Sequence, residues 1–263
     1  MILVIDAGNT NIVFALYRDE EMIGEWRTQT ETRRTADDYA VWLSQLLQLT
    51  EVPTKLSQIS GAIIATVVPE LLFPLTQLCR RYLRTQPMVV GESALTIPVK
   101  ALIDRPEELG ADRLVNAVAA HLRYPGPLLV VDFGTATTFD LIDRNGNYCG
   151  GVIAPGINLS LHALYQAAAK LPRVAIRQTE KVIATSTIGA MQSGIFWGYV
   201  GLIEGLISRI RREQNEQLPV VATGGLAPLF AKATEFDYID TNLTLFGLYE
   251  IYKINRESLP FKK

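Results

Sequence analysis

Residues 1–13 read MILVIDAGNTNIV, an apolar run that ends in an acid and a glycine before apolar residues resume. This pattern predicts a strand, a tight turn and a second strand. A glycine leaves the backbone of the turn accessible, and the Asn and Thr side chains add neutral hydrogen-bond donors. The turn therefore suits phosphate oxygens, and Asp6 suits a hydrated divalent cation that accompanies them. The alternative is an ordinary hairpin in which Asn9 and Thr10 cap their own backbone.

A second copy of the pattern favours the phosphate interpretation. Residues 127–139 read PLLVVDFGTATTF, so that Asp132 follows Asp6 at an offset of 132 − 6 = 126 residues. Gly24 and Gly150 keep the same offset, and each follows a polar turn. Two such hairpins in one chain predict an internal duplication.

Composition limits the classes of protein that remain. The chain has 263 residues, 48% of them hydrophobic, and a formal net charge of −2. It can therefore bury one large core or two ordinary domains, and it lacks the bulk charge that attracts nucleic acid or an anionic membrane. Two cysteines without metal-like spacing predict a reduced, cytoplasmic protein. No signal peptide is predicted, because Met1 is followed at once by a predicted strand that ends in Asp6. No membrane span is predicted, because the most apolar later stretch, residues 195–207, is short and carries Glu204.

The predicted elements follow the same order in both halves. The first half reads β-β-β-α-β-α-β, and the second repeats this order with additions. Residues 65–66 match residues 222–223 at an offset of 157, which leaves an insertion of 157 − 126 = 31 residues in the second half. A long helix is predicted at residues 188–212, with glycines at positions 194, 198, 201 and 205. These glycines predict a packing seam, either within the subunit or at a dimer interface.

Two halves that each open with an Asp-x-Gly hairpin resemble the fold shared by actin, sugar kinases and the heat-shock ATPases. The resemblance implies an α/β protein of two tandem actin-like, ribonuclease H-like domains, with mixed five-stranded sheets flanked by helices. The expected domains are residues 1–116, with the first phosphate hairpin, and residues 117–263, with the second hairpin; the last helix is free to pack back on the first domain. In that fold a glycine pair lies against the adenosine, here within Thr223-Gly224-Gly225. The common Gly-rich nucleotide loops, Gly-x-x-x-x-Gly-Lys and Gly-x-Gly-x-x-Gly, do not occur in the sequence.

Residues 106–117 read PEELGADRLVNA and supply the candidate chemistry. Asp112 and Asn116 lie four positions apart, on one face of a predicted helix. Phosphoryl transfer needs alignment, charge neutralisation and an acceptor for the proton of the attacking hydroxyl, and Asp112 suits that acceptor. Arg113 suits an acidic substrate or the transferred phosphoryl group. The alternative is that Asp112 and Arg113 form a surface pair near a helix start.

Five motifs together resemble those of type III pantothenate kinase, in the order of that family and over almost the whole chain. They are Asp6-x-Gly8-Asn9-Thr10, Gly110-Ala111-Asp112-Arg113 with Asn116, Asp132-x-Gly134-Thr135-Ala136-Thr137, Gly150-Gly151-x-Ile153-x-Pro155-Gly156 and Thr223-Gly224-Gly225. The resemblance implies ATP-dependent phosphorylation of pantothenate on its primary hydroxyl, the first step of coenzyme A synthesis. It also implies a divalent cation such as Mg2+, a monovalent cation such as K+ or NH4+, and a homodimer.

The resemblance also implies a role for each matched residue. The catalytic base is Asp112, and Asp132 binds the monovalent cation, while Asp6 remains the candidate for the divalent one. Ile103 stands where the family commonly has a tyrosine, which puts one substrate contact in question. The residues expected to bind ATP are Asp6, Ala7, Gly8, Asn9, Thr10, Asn11, Ile12, Val13, Thr135, Thr223, Gly224 and Gly225. The residues expected to contact pantothenate are Gly110, Ala111, Asp112, Arg113 and Thr187.

Two other functions remain open from the sequence. A relative could keep the fold as a non-catalytic accessory factor for transcription, although the three acids and Arg113 are all present. A kinase could instead act on another small hydroxylated acceptor, such as a sugar or acetate, although the Gly-Ala-Asp-Arg segment and the compact length fit pantothenate better. For the pantothenate kinase that the resemblance implies, we expect no nucleic acid and no membrane as a partner.

Overall fold

The computed structural model describes residues 1–50, 53–167 and 172–256. Within this part of the chain there are two five-stranded sheets. The contacts divide the chain into two compact units. The first unit contains residues 1–124, residues 146–148 and the stretch from residue 243, and the second unit contains residues 125–145 and 149–242.

In both halves three consecutive strands precede the first α-helix, apart from α3, which lies before β6. The strands are β1 (Ile2–Ala7), β2 (Asn11–Arg18), β3 (Glu21–Gln29), β4 (Gly61–Thr66), β5 (Met88–Val89), β6 (Leu128–Phe133), β7 (Ala136–Ile142), β8 (Tyr148–Pro155), β9 (Val220–Thr223) and β10 (Tyr238–Ile239). The α-helices are α1 (Ala36–Gln48), α2 (Pro69–Leu78), α3 (Ala111–Arg123), α4 (Ile157–Ala167), α5 (Thr187–Gln214), α6 (Ala227–Phe230) and α7 (Leu243–Asn255). Turns of 310-helix lie at Leu56–Gln58 and Pro106–Glu108, and a π-helical turn at Cys79–Leu83 continues α2. The order predicted for the first half is confirmed.

Counterpart strands occupy the same places in the two sheets. The first sheet has the order β3-β2-β1-β4-β5, and the second, read from its opposite edge, has the order β8-β7-β6-β9-β10. The central strand β1 pairs antiparallel with β2 and parallel with β4, and β6 pairs in the same two ways with β7 and β9. Asp6 and Asp132 lie near the carboxyl ends of these central strands. The predicted architecture of mixed five-stranded sheets flanked by helices is confirmed.

Helices cover the first sheet, and this cover explains the continuous apolar runs of β1 and β4. Leu3 of β1 joins a buried cluster with Tyr39 of α1 and Leu71 of α2. Helix α7 packs against β1, β4 and α3. Gly247 of α7 lies so close to Val115 of α3 that a Cβ would be 2.5 Å from the Val115 carbonyl oxygen. The carboxyl end of β1 is therefore held by a packed core.

The two hairpins differ in length by one residue. The pair Ala7 and Ile12 closes the first loop, residues 8–11. The pair Phe133 and Thr137 closes a second loop that is one residue shorter. β6 begins 128 − 2 = 126 residues after β1, as the duplication predicts, but the offset changes across the turn. The first hairpin consequently presents the longer and more polar loop.

Two sequence-based boundaries can be compared with the described elements. The parallel partners Ile2 and Gly61 are 59 residues apart, and Leu129 and Val220 are 91 apart, so the insertion is 91 − 59 = 32 residues and the predicted 31 was wrong by one. The predicted domain boundary after residue 116 falls inside α3, and α7 belongs to the first unit. The assignment of domains stays a prediction.

Candidate active site

The first hairpin turns at Gly8, shortly after Asp6 at the end of β1. The Gly8 N–H donates a hydrogen bond of 3.0 Å to the carbonyl oxygen of Asn11. A Cβ at position 8 would lie 3.3 Å from that oxygen, so glycine suits the tight turn. Asn9 and Thr10 are exposed at the tip, whereas Asp6 is half-buried. The turn thus presents polar groups just beyond a half-buried acid.

Two threonines hold this turn from either side. Thr30, which follows β3, donates through Oγ1 to the carbonyl oxygen of Gly8 at 2.6 Å, and its N–H donates to the carbonyl oxygen of Thr10 at 2.9 Å. Thr66, at the end of β4, has its hydroxyl 3.2 Å from the carbonyl oxygen of Ala7. Neither threonine was predicted as a site residue. Together they fix the backbone on both sides of the turn of the first hairpin.

The side chain of Asp112 folds back on the N-terminus of α3. Its Oδ1 accepts a hydrogen bond of 2.8 Å from the backbone N–H of Arg113. A Cβ on Gly110 would lie 2.5 Å from that oxygen, so glycine leaves room for the carboxylate. Gly110 also lies beside Val67, whose N–H donates to the carbonyl oxygen of Ala7 at 3.2 Å. The half-buried Asp112 is therefore connected with the end of β1 through two residues.

The next two polar residues of α3 contact other elements of the first unit. The guanidinium carbon of Arg113 lies 5.3 Å from the centre of the Tyr148 ring. Tyr148 was not predicted as part of the site. Asn116 is fully buried and accepts a hydrogen bond of 2.7 Å from the hydroxyl of Thr244 on α7. Asn116 therefore serves the packing of α3 against α7.

The second hairpin is also held at its tip by a residue from the neighbouring strand end. The Gly134 N–H donates to the carbonyl oxygen of Ala136 at 3.0 Å, and the Gly156 N–H donates to the carbonyl oxygen of Thr135 at 3.2 Å. A Cβ at position 156 would overlap the Thr135 carbonyl. Gly156 directly follows β8 as Thr30 directly follows β3, so each turn accepts a backbone hydrogen bond from the residue after the third strand of its half.

Asp132 lies against the glycine turn that follows β9. It is the parallel register partner of Thr223, which is buried. Gly224 has a φ of +87°, and a Cβ there would lie 2.6 Å from Oδ1 of Asp132 and 2.7 Å from the carbonyl oxygen of Phe133. Gly225 is exposed. The structure thus brings the predicted cation ligand together with the predicted adenosine motif.

Tyr199 of α5 contacts the second hairpin at the start of β7. Its hydroxyl is hydrogen-bonded to the buried hydroxyl of Thr137 at the start of β7, and it also donates to the carbonyl oxygen of Pro155 at 3.3 Å. Burial raises the pKa of the Tyr199 hydroxyl, and the hydrogen bond with Thr137 opposes that rise. Sequence reasoning missed this contact because it joins residues that are 62 positions apart.

Thr187 is the first residue of α5 and is exposed. The preceding Ser186 caps the helix, since its hydroxyl oxygen accepts a hydrogen bond of 3.1 Å from the Gly189 N–H. Thr187 belongs to the second unit, whereas the predicted substrate residues 110–113 belong to the first.

Two surface cavities can be compared with the predicted site. One, of about 600 Å³, borders the tip of the first hairpin and includes Asn9, Thr30, Arg33 and Val67 in its lining. Another, of about 830 Å³, lies beside the C-terminal half of α5 and contains none of the predicted site residues. The larger of these two cavities is therefore not the predicted active site.

Comparison with known proteins identifies the family. The family model described as type III pantothenate kinase matches residues 2–209. The chain belongs to the type III pantothenate kinase family. The type III pantothenate kinase of Paramagnetospirillum magneticum is 60% identical to it over 100% of both chains. That of Phenylobacterium zucineum is 56% identical over 97% of this chain and 99% of its own.

Solved structures share the fold of this chain. A crystal structure described as a conserved putative Baf family transcriptional activator from Campylobacter jejuni has a TM-score of 0.58 at 21% identity, and covers 97% of this chain and 99% of its own. A putative 2-dehydro-3-deoxygalactonokinase from Sinorhizobium meliloti has a TM-score of 0.58 at 14% identity, and covers 100% and 98%. At these identities the likeness concerns the fold, and it confirms the predicted relation to the actin-like and sugar-kinase fold.

In the stretches 1–50, 53–167 and 172–256, no group of three His, Cys, Asp or Glu side chains could hold a metal ion. Across the same described stretches, no helix combines the length and the apolar composition needed to cross a membrane.

Proposed function

We propose that this kinase transfers the γ-phosphoryl group of ATP to the primary hydroxyl of pantothenate. The products are 4′-phosphopantothenate and ADP, and the reaction is the first step of coenzyme A biosynthesis. Membership of the family supports this choice of substrate. The observation that carries the proposal is the half-buried carboxylate of Asp112, which is held at the start of α3 beside Arg113 and is connected through Val67 with the end of β1.

ATP binds, in this proposal, through the first hairpin, residues 6–13. The exposed tip offers the side-chain donors of Asn9 and Thr10 to phosphate oxygens. The hydrogen bonds from Thr30 hold the tip before a ligand arrives, so little conformational entropy is lost on binding. The other proposed ATP residues are Thr135, Thr223, Gly224 and Gly225.

Asp6 is the proposed ligand of the Mg2+ that accompanies ATP. Mg2+ is usually held in such sites by one or two carboxylates, with phosphate oxygens and water as its other ligands. Asp6 fits this chemistry because it is a half-buried carboxylate at the end of a buried strand, next to the phosphate turn. The ion would neutralise charge on the β- and γ-phosphates.

Asp112 is the proposed general base. The hydroxyl oxygen of pantothenate attacks the γ-phosphorus while its proton passes to the Asp112 carboxylate. The bond between the γ-phosphorus and the bridging oxygen breaks, and ADP leaves. The hydrogen bond from the Arg113 N–H fixes one carboxylate oxygen at 2.8 Å, which orients the carboxylate for this transfer.

Arg113 is proposed to bind the carboxylate of pantothenate. A guanidinium group matches a carboxylate with two parallel hydrogen bonds, which a single ammonium cannot do. Gly110, Ala111 and Thr187 are the other proposed contacts, beside the base Asp112. Because Ile103 replaces the tyrosine that is common in the family, we expect one hydrogen bond to the substrate to be lost.

Asp132 is proposed to bind K+ or NH4+. Its carboxylate lies against the backbone of Gly224 and near the carbonyl oxygen of Phe133, a set of oxygen donors that suits a monovalent cation. A cation there would offset the charge that the phosphates bring to the second hairpin.

The exposed face of α5 is the proposed interface of a homodimer. At each of the glycines 194, 198, 201 and 205, a Cβ would meet no other described residue within 4 Å. Each glycine in a helix costs up to about 1 kcal/mol relative to alanine, and packing against the described residues of the same chain does not explain these four. In a dimer, the absence of side chains at these four positions would allow the α5 backbones of two copies to approach closely.

The proposed reaction is tested by ADP release from ATP and Mg2+ in potassium buffer, with and without pantothenate. We expect ADP release that requires pantothenate, and none with an analogue that lacks the primary hydroxyl. Glucose and acetate test the alternative of another acceptor. Release with one of these in place of pantothenate, or no release with any acceptor, would contradict the proposed function. Equal rates when sodium replaces potassium would contradict the monovalent cation site.

A further inference from the structure

Tyr148 contacts Arg113 of the proposed substrate site with its ring, and its backbone is hydrogen-bonded to Lys100 and Leu102. Its side chain is only 2% exposed, and the Arg113 guanidinium carbon lies 5.3 Å from the centre of the ring. This distance is within the range of a cation–π interaction, which strengthens when the groups are shielded from water. The ring therefore restricts where the guanidinium group can lie.

The backbone of Tyr148 holds the segment that leads towards α3. Its N–H donates to the carbonyl oxygen of Lys100 at 2.8 Å, and its carbonyl oxygen accepts from the Leu102 N–H at 2.7 Å. The neighbouring Asn147 accepts a hydrogen bond of 3.1 Å from the Lys100 N–H through its side-chain oxygen. Ile103, the position of the replaced family tyrosine, follows directly. One short stretch thus fixes both the approach to Ile103 and the side chain of Arg113.

An arginine side chain loses considerable rotamer freedom when it binds a ligand. An aromatic ring that already holds the guanidinium group in place reduces this entropy loss, and the affinity for the ligand is therefore higher. Substitution of the ring should therefore weaken pantothenate binding while the chemistry and the ATP site stay as they are.

We propose that Tyr148 is a positioning residue for pantothenate, which acts by holding the guanidinium group of Arg113 under its ring face. This inference rests on the proposed function, in which Arg113 binds the substrate carboxylate. Tyr148 itself touches none of the reacting atoms. Its contribution is to the KM for pantothenate and not to kcat.

The test compares Tyr148→Met, which fills space without a ring, with Tyr148→Phe, which keeps the ring. We expect the KM for pantothenate to rise about fivefold or more in Tyr148→Met, as the loss of a cation–π contact implies. The kcat and the KM for ATP should stay within about twofold of wild type. Tyr148→Phe should keep the wild-type KM for pantothenate. Tyr148→Leu is a second variant of different shape, should the methionine variant fold poorly.

Tyr17→Leu is the matched control. Tyr17 is also a buried tyrosine of the first unit, and its ring stacks on Tyr249 at 4.2 Å. The control should lose stability without a change in the KM for pantothenate. In addition, Tyr148→Met should change kcat/KM for pantothenate by less than about twofold when Arg113 is already alanine, because the effect passes through Arg113.

The possible outcomes separate this inference from the proposed function. Wild-type ADP release that does not depend on pantothenate would overturn both. Normal wild-type turnover with an unchanged KM in Tyr148→Met and Tyr148→Leu would overturn only the role of Tyr148. A fall in kcat, or an equal rise in both KM values, would show a general structural role and would also overturn it. An effect of equal size in the Arg113→Ala background would exclude action through Arg113.

Discussion

Thr30 Oγ1 donates a hydrogen bond of 2.6 Å to the carbonyl oxygen of Gly8, 22 positions earlier in the chain. The N–H of the same threonine donates to the carbonyl oxygen of Thr10 at 2.9 Å. One residue thus binds the turn of the first hairpin at two points. We expect the turn to keep its shape when ATP is absent.

Thr30→Val should weaken ATP binding. Valine keeps the shape of the side chain and the backbone hydrogen bond but removes the bond to Gly8. The loss of such a bond costs about 1 kcal/mol, which corresponds to about a fivefold rise in the KM for ATP. The KM for pantothenate should not change. Thr50→Val is the control, because it removes a hydrogen bond of 2.9 Å to the Leu47 carbonyl at the end of α1. An equal effect of both variants on ATP would contradict this role of Thr30.

Gly224→Ala should disturb the proposed monovalent cation site. The alanine Cβ would meet Oδ1 of Asp132 and the Phe133 carbonyl oxygen, and the positive φ adds strain. Gly126→Ala is a matched control, since its φ of +85° is similar but its Cβ would meet no described residue within 4 Å. We expect both variants to lose about 1 kcal/mol of stability from the backbone strain. Only Gly224→Ala should need more potassium for half-maximal activity. Equal potassium activation in the two variants would argue against the site.

Gly198→Ala should distinguish a free α5 face from one covered by a second copy. On an exposed helix, alanine would stabilise the protein by about 0.5–1 kcal/mol, because its Cβ has open space. In the proposed dimer the same methyl group would separate two close backbones and weaken association. Sedimentation velocity on Gly198→Ala and the bulkier Gly198→Leu should therefore show dissociation at concentrations where wild type is dimeric. Gln45→Leu, an added leucine on the exposed side of α1, is the control. A monomeric wild type would contradict the proposed interface.

The parts of the fold that could be predicted are those that depend on short, contiguous sequence patterns. An apolar run before Asp-x-Gly specifies the two hairpins, and their repetition specifies the two sheets. The one-residue difference between the loops could not be predicted, because both read as small polar residues after a glycine. It became visible only in the strand register.

The supporting residues of the site could not be predicted because their contacts are distant in sequence. Tyr148 meets Arg113 across 148 − 113 = 35 positions. The spacing of Asp112 and Asn116 placed both on one helix face. In the structure, Asn116 instead accepts a hydrogen bond from Thr244 of α7, which lies 128 positions later in the chain. Helical spacing shows which side chains share a face. It does not show which later element will cover that face.

The most direct test of the account is the pantothenate-dependent kcat of Asp112→Asn, measured together with its affinity for ATP. Asparagine keeps the size of the side chain but cannot accept the proton of the attacking hydroxyl. The account predicts that kcat falls at least about 100-fold, the usual contribution of a general base, while the Kd for ATP stays within about twofold of wild type. A variant that keeps more than about a tenth of the wild-type kcat would contradict the role of Asp112 as the base.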